Sequence, residues 1–237
     1  MDITVLSWMR NEEDILPFFF RHYSFADRII VWDNESTDGT RKILESDPRV
    51  EVRDWMTHGK MRDLELTRMK SHEYRSTGPG WKMIVDADEF VWHRDMRKYL
   101  EMCDRVGITV PQVVGYDMVS DSMPKDDGVS LMTDIVRDGV RSQRYDKACV
   151  LRDCVEIEYG PGCHGFLSFK GRAIVSSDQD LKLLHYRYLS KERVERKAKE
   201  YKPSEENLRY GFGTENHDVG LMVSRWEEIW KSKGRVI

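Results

Sequence analysis

Cysteine is scarce in this chain. Four thiols in 237 residues, Cys103, Cys149, Cys154 and Cys163, are too few to staple a fold of this length as a disulfide scaffold. Cys149, Cys154, Cys163 and His164 contain no Cys-x-x-Cys knuckle, so buried thiols are a simpler reading than a structural zinc site. Long apolar runs are also missing. The longest near the start, Ile15-Leu16-Pro17-Phe18-Phe19-Phe20, falls well short of the roughly 20 residues that span a bilayer. Met1 is not followed by a basic segment, an apolar run and a small-residue cleavage site, so no signal peptide is expected. Together these absences predict a reducing, cytoplasmic setting. There is no basic excess either: 38 Lys and Arg stand against 42 Asp and Glu, a net charge of −4. General nucleic-acid binders need phosphate-neutralising cations, so that class is excluded. With 16 Gly and 7 Pro the chain has no low-complexity tract, repeat or evident linker.

What is present is a regular alternation over the first 90 residues. Residues 3–8 form a short, β-branched apolar run and predict a buried strand. Residues 11–23 predict a helix, acidic at its start, with Pro17 as a kink or break. Residues 28–32, 50–53 and 81–85 predict three more strands. Helices are predicted over 40–45 and 61–74, the second stopped by Gly78-Pro79-Gly80. Strand and helix in alternation predict an α/β fold, a mainly parallel central sheet flanked by helices. Such sheets bind ligands beyond the carboxyl ends of their strands. The polar clusters fall there: Arg10-Asn11-Glu12, then Asp33, then Asp86 and Asp88. Beyond residue 90 the pattern weakens. Strands are predicted over 108–114 and 149–157, a long polar loop over 117–145, and helices over 190–201 and 220–233.

Asp86-Ala87-Asp88, directly after an apolar strand, is the sharpest feature. Two carboxylates at i and i+2 can share a hard divalent cation that keeps positions open for water and phosphate oxygens. Asp33, at the end of the second predicted strand, can accept hydrogen bonds from a base or ribose. Ser36 to Thr40 read as helix-capping chemistry. His185, in Leu183-Leu184-His185-Tyr186, is a candidate third ligand. His164 lies in the glycine-rich run Tyr159-Gly160-Pro161-Gly162-Cys163-His164-Gly165 and is a candidate general base, with Asp121 and Glu158 as rivals beside Asp117 and Asp153. Arg10, Arg62 and Lys147 are candidates to meet a diphosphate. The charged run 191–200 reads as a solvated helix face, and Trp226 with Trp230 as core or interface.

In combination, Met9-Arg10-Asn11-Glu12-Glu13, the segment from Trp32 to Thr40, and Trp81-Lys82-Met83-Ile84-Val85-Asp86-Ala87-Asp88-Glu89-Phe90 resemble the family-2-type glycosyltransferases of the GT-A fold. The Arg-Asn-Glu start and the Asp-Glu-Phe ending also resemble the related family 92 branch. The likeness covers roughly the first 95 residues. It departs at Asp33-Asn34-Glu35-Ser36, where the family carries Asp-Asp-Gly-Ser. The resemblance implies one GT-A domain over residues 1–237: a nucleotide-sugar-binding half at 1–90, an acceptor-side half at 91–190 and C-terminal helices at 191–237. It implies an inverting, metal-dependent glycosyltransferase. The donor would be a UDP-, GDP- or dTDP-sugar, and the acceptor a glycan or lipid-linked hydroxyl reached through at most peripheral membrane contact. By the same likeness Asn11 or Glu12, with Asp33, would meet the nucleoside, Asp86 the ribose, and Asp86, Asp88 and His185 would hold Mn²⁺ or Mg²⁺. Two rivals stand beside this reading. A nucleotidyltransferase shares such a sheet but needs a glycine-rich loop after the first strand, where this chain has Arg10-Asn11-Glu12-Glu13. A non-catalytic nucleotide-sugar binder would bind donor without transfer.

Overall fold

The computed structural model describes residues 1–237. Strand β1 (Ile3–Met9) is buried along its whole length. It is followed by helix α1 (Leu16–His22), β2 (Arg28–Asp33), α2 (Thr40–Leu44), β3 (Val50–Asp54), α3 (Asp63–His72) and β4 (Trp81–Asp86). Strands β1, β2, β3 and β4 pair in parallel in the order β3-β2-β1-β4. Side chains alternate across this sheet. Ile3, Val5 and Met9 pack into one core with Phe18 and Phe19 of α1, whereas Leu6 and Trp8 pack into a second core with Tyr74, Leu66 and Met69. Both faces are therefore covered, which is why the strands read as continuous apolar runs. Pro17 does not kink a longer helix. It sits in the first turn of α1, where its missing N–H is not needed, and residues 12–15 form a turn instead.

Helix α1 buries His22 as well as its phenylalanines. The ring lies against Tyr23 and Phe90, and Nε2 lies 2.8 Å from the Val91 carbonyl oxygen. Burial pushes its pKa from 6.5 down to about 4. The neutral ring is thus favoured in the fold, and stability is complete above pH 6.5. It falls by about 3 kcal/mol as the pH drops towards 4, because the unfolded chain then takes up a proton that the fold refuses. Urea midpoints measured across that window should show the decline, and His22→Gln should flatten it.

After β4, a two-residue turn of Ala87 and Asp88 delivers the chain into a second sheet at β5 (Glu89–Trp92). The rest comprises α4 (Met96–Val106), β6 (Val110–Val119), α5 (Met132–Ile135), β7 (Asp138–Arg141), β8 (Val150–Arg152), β9 (Val155–Tyr159), β10 (Phe166–Gly171), β11 (Val175–Tyr188), α6 (Lys191–Glu200), α7 (Glu205–Tyr210), α8 (Val219–Ser232) and β12 (Gly234–Arg235). Strand β8 adds antiparallel to the edge of the first sheet at β4, the second sheet runs β12-β7-β6-β11-β5, and β9 and β10 form a separate hairpin. The expected α/β architecture, with a parallel central sheet and flanking helices, is present.

Beyond residue 90 several expectations need correction. The predicted loop at 117–145 contains the end of β6, α5 and β7, and the predicted strand at 149–157 is two strands, β8 and β9, parted by a turn. Nor is α6 simply a solvated face: Arg193, Val194 and Ala198 are buried. Trp226 and Trp230 stack at 5.8 Å against the small core made by Tyr188, Val194 and Met222. No helix is long and apolar enough to cross a membrane.

Candidate functional site

In the first sheet the chain steps from β1 outward to β2 and β3, then returns to place β4 on the other side of β1. The carboxyl ends of β1 and β4 thus flank a topological switch point, where open α/β sheets leave a crevice. A cleft of about 560 Å³ opens there. Trp8 on its wall pairs in register with Trp32 of β2 and with Asp86 of β4. The two indoles stack at 4.5 Å with planes 5° apart. Trp8 Nε1 is buried without a partner.

The acidic turn is braced by two buried lysines. Lys70 on α3 donates to Asp86 Oδ1 at 2.6 Å. Burial opposes ionisation of Asp86, but Lys70 and then Lys147 outweigh it and hold the carboxyl below the usual range. Glu89 accepts from the Asp86 amide at 3.1 Å and from the Lys147 ammonium. Glu89 and Lys147 are only 2% and 4% exposed, so this ion pair is buried beneath the turn; Glu89 contributes to the cleft wall and Lys147 does not.

Asp88 faces the cleft. Burial works against its charge, yet His185 and Arg193 keep its pKa lowered. Asp88 Oδ2 is 3.6 Å from His185 Nε2, and His185 Nδ1 is 2.7 Å from Asp117 Oδ1. Burial also opposes the imidazolium of His185, and here Asp88 and Asp117 prevail and raise its pKa.

No group of three or more His, Cys, Asp or Glu side chains converges to hold a metal. Asp86, the expected third ligand, is occupied by Lys70. Two donors remain, a carboxylate oxygen of Asp88 and an imidazole nitrogen of His185. That mixed oxygen–nitrogen set fits a divalent ion that completes its shell with water and phosphate oxygens, and suits Mn²⁺ better than Mg²⁺.

The other sequence candidates separate. Arg10 and Glu12 line the cleft. Arg10 donates to the Asn34 carbonyl oxygen at 2.7 Å. Glu12 is clamped by Lys197 at 2.6 Å and Arg193 at 2.8 Å, and burial still raises its pKa. Asn11 and Asp33 do not reach the cleft wall. The Asn11 side chain accepts from the Thr37 amide at 2.8 Å, and Asp33 accepts from the Ser36 amide at 3.2 Å, so both fix the 33–38 turn. Asn34, not Asp33, lines the cleft, with its Oδ1 accepting from the Thr57 hydroxyl at 2.7 Å. Arg62 pairs with Glu65 at 3.3 Å and does not line the cleft.

Of the five candidate bases, His164, Asp117, Asp121, Asp153 and Glu158, only His164 borders the cleft. Its Nε2 accepts from Arg144 at 3.1 Å, and burial, with Lys147 and Arg144, pushes its pKa down to about 3. A lone pair so engaged is a poor proton acceptor. Asp121 is exposed on the loop after β6, beside Ser122, and Glu158 pairs with Arg75 at 2.7 Å, both outside the cleft.

Sequence reasoning missed Trp8 and Arg187. Arg187 follows His185 by two residues on β11, lines the cleft half-buried, and pairs with no carboxylate. Its neighbours Arg144 and Arg225, by contrast, share Glu215. The period-2 alternation of a strand through Leu183 to Tyr188 was the available signal.

No family model matches this chain, and no curated protein is similar to it. Solved structures with a related course include S. aureus TarS, at 12% identity and TM-score 0.46 over 98% of this chain and 44% of that one. A shorter TarS chain in complex with UDP-GlcNAc gives 12% identity and TM-score 0.45 over 96% and 72%. HddC from Yersinia pseudotuberculosis gives 12% identity and TM-score 0.39 over 78% and 92%. This chain spans less than half the length of the first of these. Overlays this loose carry no argument about chemistry, so the functional reading rests on the side chains of the cleft.

Proposed function

We propose that this protein is a nucleotide-sugar-dependent glycosyltransferase of the GT-A type. The observation that carries the reading is the meeting of Asp88, His185 and the unpaired Arg187 at the switch point between β1 and β4. In this reading the nucleoside lies against the half that supplies Trp8, Arg10 and Asn34, with the diphosphate directed toward Asp88, His185 and Arg187. The acceptor enters from the side of Tyr145, His164 and Arg225. Its hydroxyl attacks the anomeric carbon from the face opposite the nucleotide, the bond to the diphosphate breaks, and the nucleoside diphosphate departs with inversion. Asp88 and His185 would hold Mn²⁺ or Mg²⁺, which when bound would supply positive charge to that leaving group. Arg187 adds a planar donor pair suited to phosphate oxygens. His164, neutral and held by Arg144, lines the acceptor side and orients; the proton leaves by another carboxylate or by water.

The nucleotidyltransferase alternative is disfavoured by the β1–α1 connection, residues 10–15, which contains no glycine and spends Glu12 on α6. A panel of UDP-, GDP- and dTDP-sugars with Mn²⁺ or Mg²⁺ tests both readings. Release of nucleoside diphosphate is expected, whereas release of pyrophosphate from nucleoside triphosphate and sugar phosphate would replace this reading with the alternative. Arg187→Gln should weaken binding of the matching nucleoside diphosphate by about tenfold or more, the usual worth of a charged hydrogen bond, and leave nucleoside binding unchanged in calorimetric titrations.

A further inference from the structure

Three strands of the second sheet bring three ionisable side chains into one row. In the register of β5, β11 and β6, His185 is paired with Glu89 on one side and with Asp117 on the other. Asp117 Oδ1 sits 2.7 Å from His185 Nδ1. Both side chains are largely buried, at 14% and 5% exposure. The ring is also fixed from its face, because Tyr145 lies over it with centroids 4.1 Å apart and planes 30° apart. Tyr145 can approach because Gly115 in β6 has no side chain; a Cβ there would stand 2.4 Å from that of Tyr145.

This arrangement dictates the chemistry of the ring. With its Nδ1–H donated to Asp117, a neutral imidazole carries only a lone pair at Nε2, and that lone pair faces Asp88 Oδ2 at 3.6 Å. Without metal a proton on Nε2 bridges that gap to Asp88, as the raised pKa of the ring implies, and a divalent cation bound there would take the place of that proton. A carboxylate behind a ligating histidine also sets its tautomer and strengthens its basicity. We propose that Asp117 is a positioning residue for the cation site: it fixes the tautomer of His185 and aims Nε2 at Asp88. The working metal site is then the line Asp117–His185–Asp88, and Asp86 is not a ligand. This inference rests on the transferase reading above but makes a separate demand.

The test is a titration of the full-length chain with Mn²⁺ alone, counting free ion by electron paramagnetic resonance. Asp117→Ala should lose affinity by about 10- to 100-fold, the usual cost of removing such a partner. Asp117→Asn should fall between, since its amide oxygen still accepts from Nδ1–H but carries no charge. Asp86→Asn should change affinity by less than about threefold. In long-range ¹H–¹⁵N spectra recorded at a pH where the ring is neutral, wild type should show the Nδ1–H tautomer, and Asp117→Ala should shift it toward Nε2–H. Should Asp117→Ala lose its fold, Asp117→Asn and the tautomer spectrum decide. Unchanged Mn²⁺ affinity in folded Asp117 variants, or a tenfold loss in Asp86→Asn, would overturn the inference. A wild-type chain that binds UDP or GDP but no Mn²⁺ overturns this inference and leaves the transferase reading standing; one that binds neither overturns both.

Discussion

Asp88→Asn should lower donor turnover by about a thousandfold or more, a barrier change of roughly 4 kcal/mol. The substitution keeps the shape of the side chain and removes its charge. That charge is the one free carboxylate of the acidic turn, because Asp86 is taken by Lys70 and Glu89 by Lys147. His164→Ala should cost about tenfold or less, since a ring whose lone pair already accepts from Arg144 contributes position and not proton transfer. Steady-state release of nucleoside diphosphate in saturating Mn²⁺ gives both numbers. Near-wild-type turnover by Asp88→Asn would remove the turn from the reaction, and a His164→Ala defect as deep as that of Asp88→Asn would restore the histidine as base.

The largest loss of stability is expected from Lys147→Met. Glu89 is buried and its two oxygens are satisfied by the Asp86 amide and the Lys147 ammonium. Removing the ammonium leaves a carboxylate in the interior without a counter-charge, which typically costs about 3–5 kcal/mol. In a chain of this size that lowers the melting temperature on the order of 10 °C. Pairing the change with Glu89→Gln should recover most of the loss, because a neutral amide still accepts from the Asp86 amide. A single variant that melts with the wild type would mean that the pair is solvated and not a brace. The double variant also separates fold from function: its stability should return, whereas the turn that aims Asp88 loses one of its two charged supports.

The first half of the molecule was legible because its strands are buried on both faces and announce themselves as apolar runs. Asp86 and Asp88 could be placed at a strand end for that reason alone. Roles were less legible than positions. Asn11 and Asp33 look like ligand contacts in sequence, but the local turn uses their side chains for its own amides. The distinction depends on backbone geometry, including the positive φ of 53° at Asn11, which no spacing reveals. The second half hid more. Strand β11 lies exposed over its first residues and buried over its last, so it has no single pattern along its length, and Arg187 was lost with it. Helix α4 could have been found: Met96, Tyr99, Leu100 and Cys103 follow helical spacing between an Asp95 cap and Gly107 in the left-handed region. Pairings such as Glu12 with Arg193, 181 residues apart, leave no trace in local composition.

That last pairing bears on how the molecule is made. Glu12 emerges from the ribosome long before Arg193 and Lys197, the only cations that pair with it. Until α6 has been synthesised and docked, the wall of the cleft holds an uncompensated anion. The cleft therefore reaches its final electrostatic state only once α6 is in place, and, on the transferase reading proposed above, a fragment ending before Ser190 should bind a nucleoside diphosphate more weakly than the chain that includes α6.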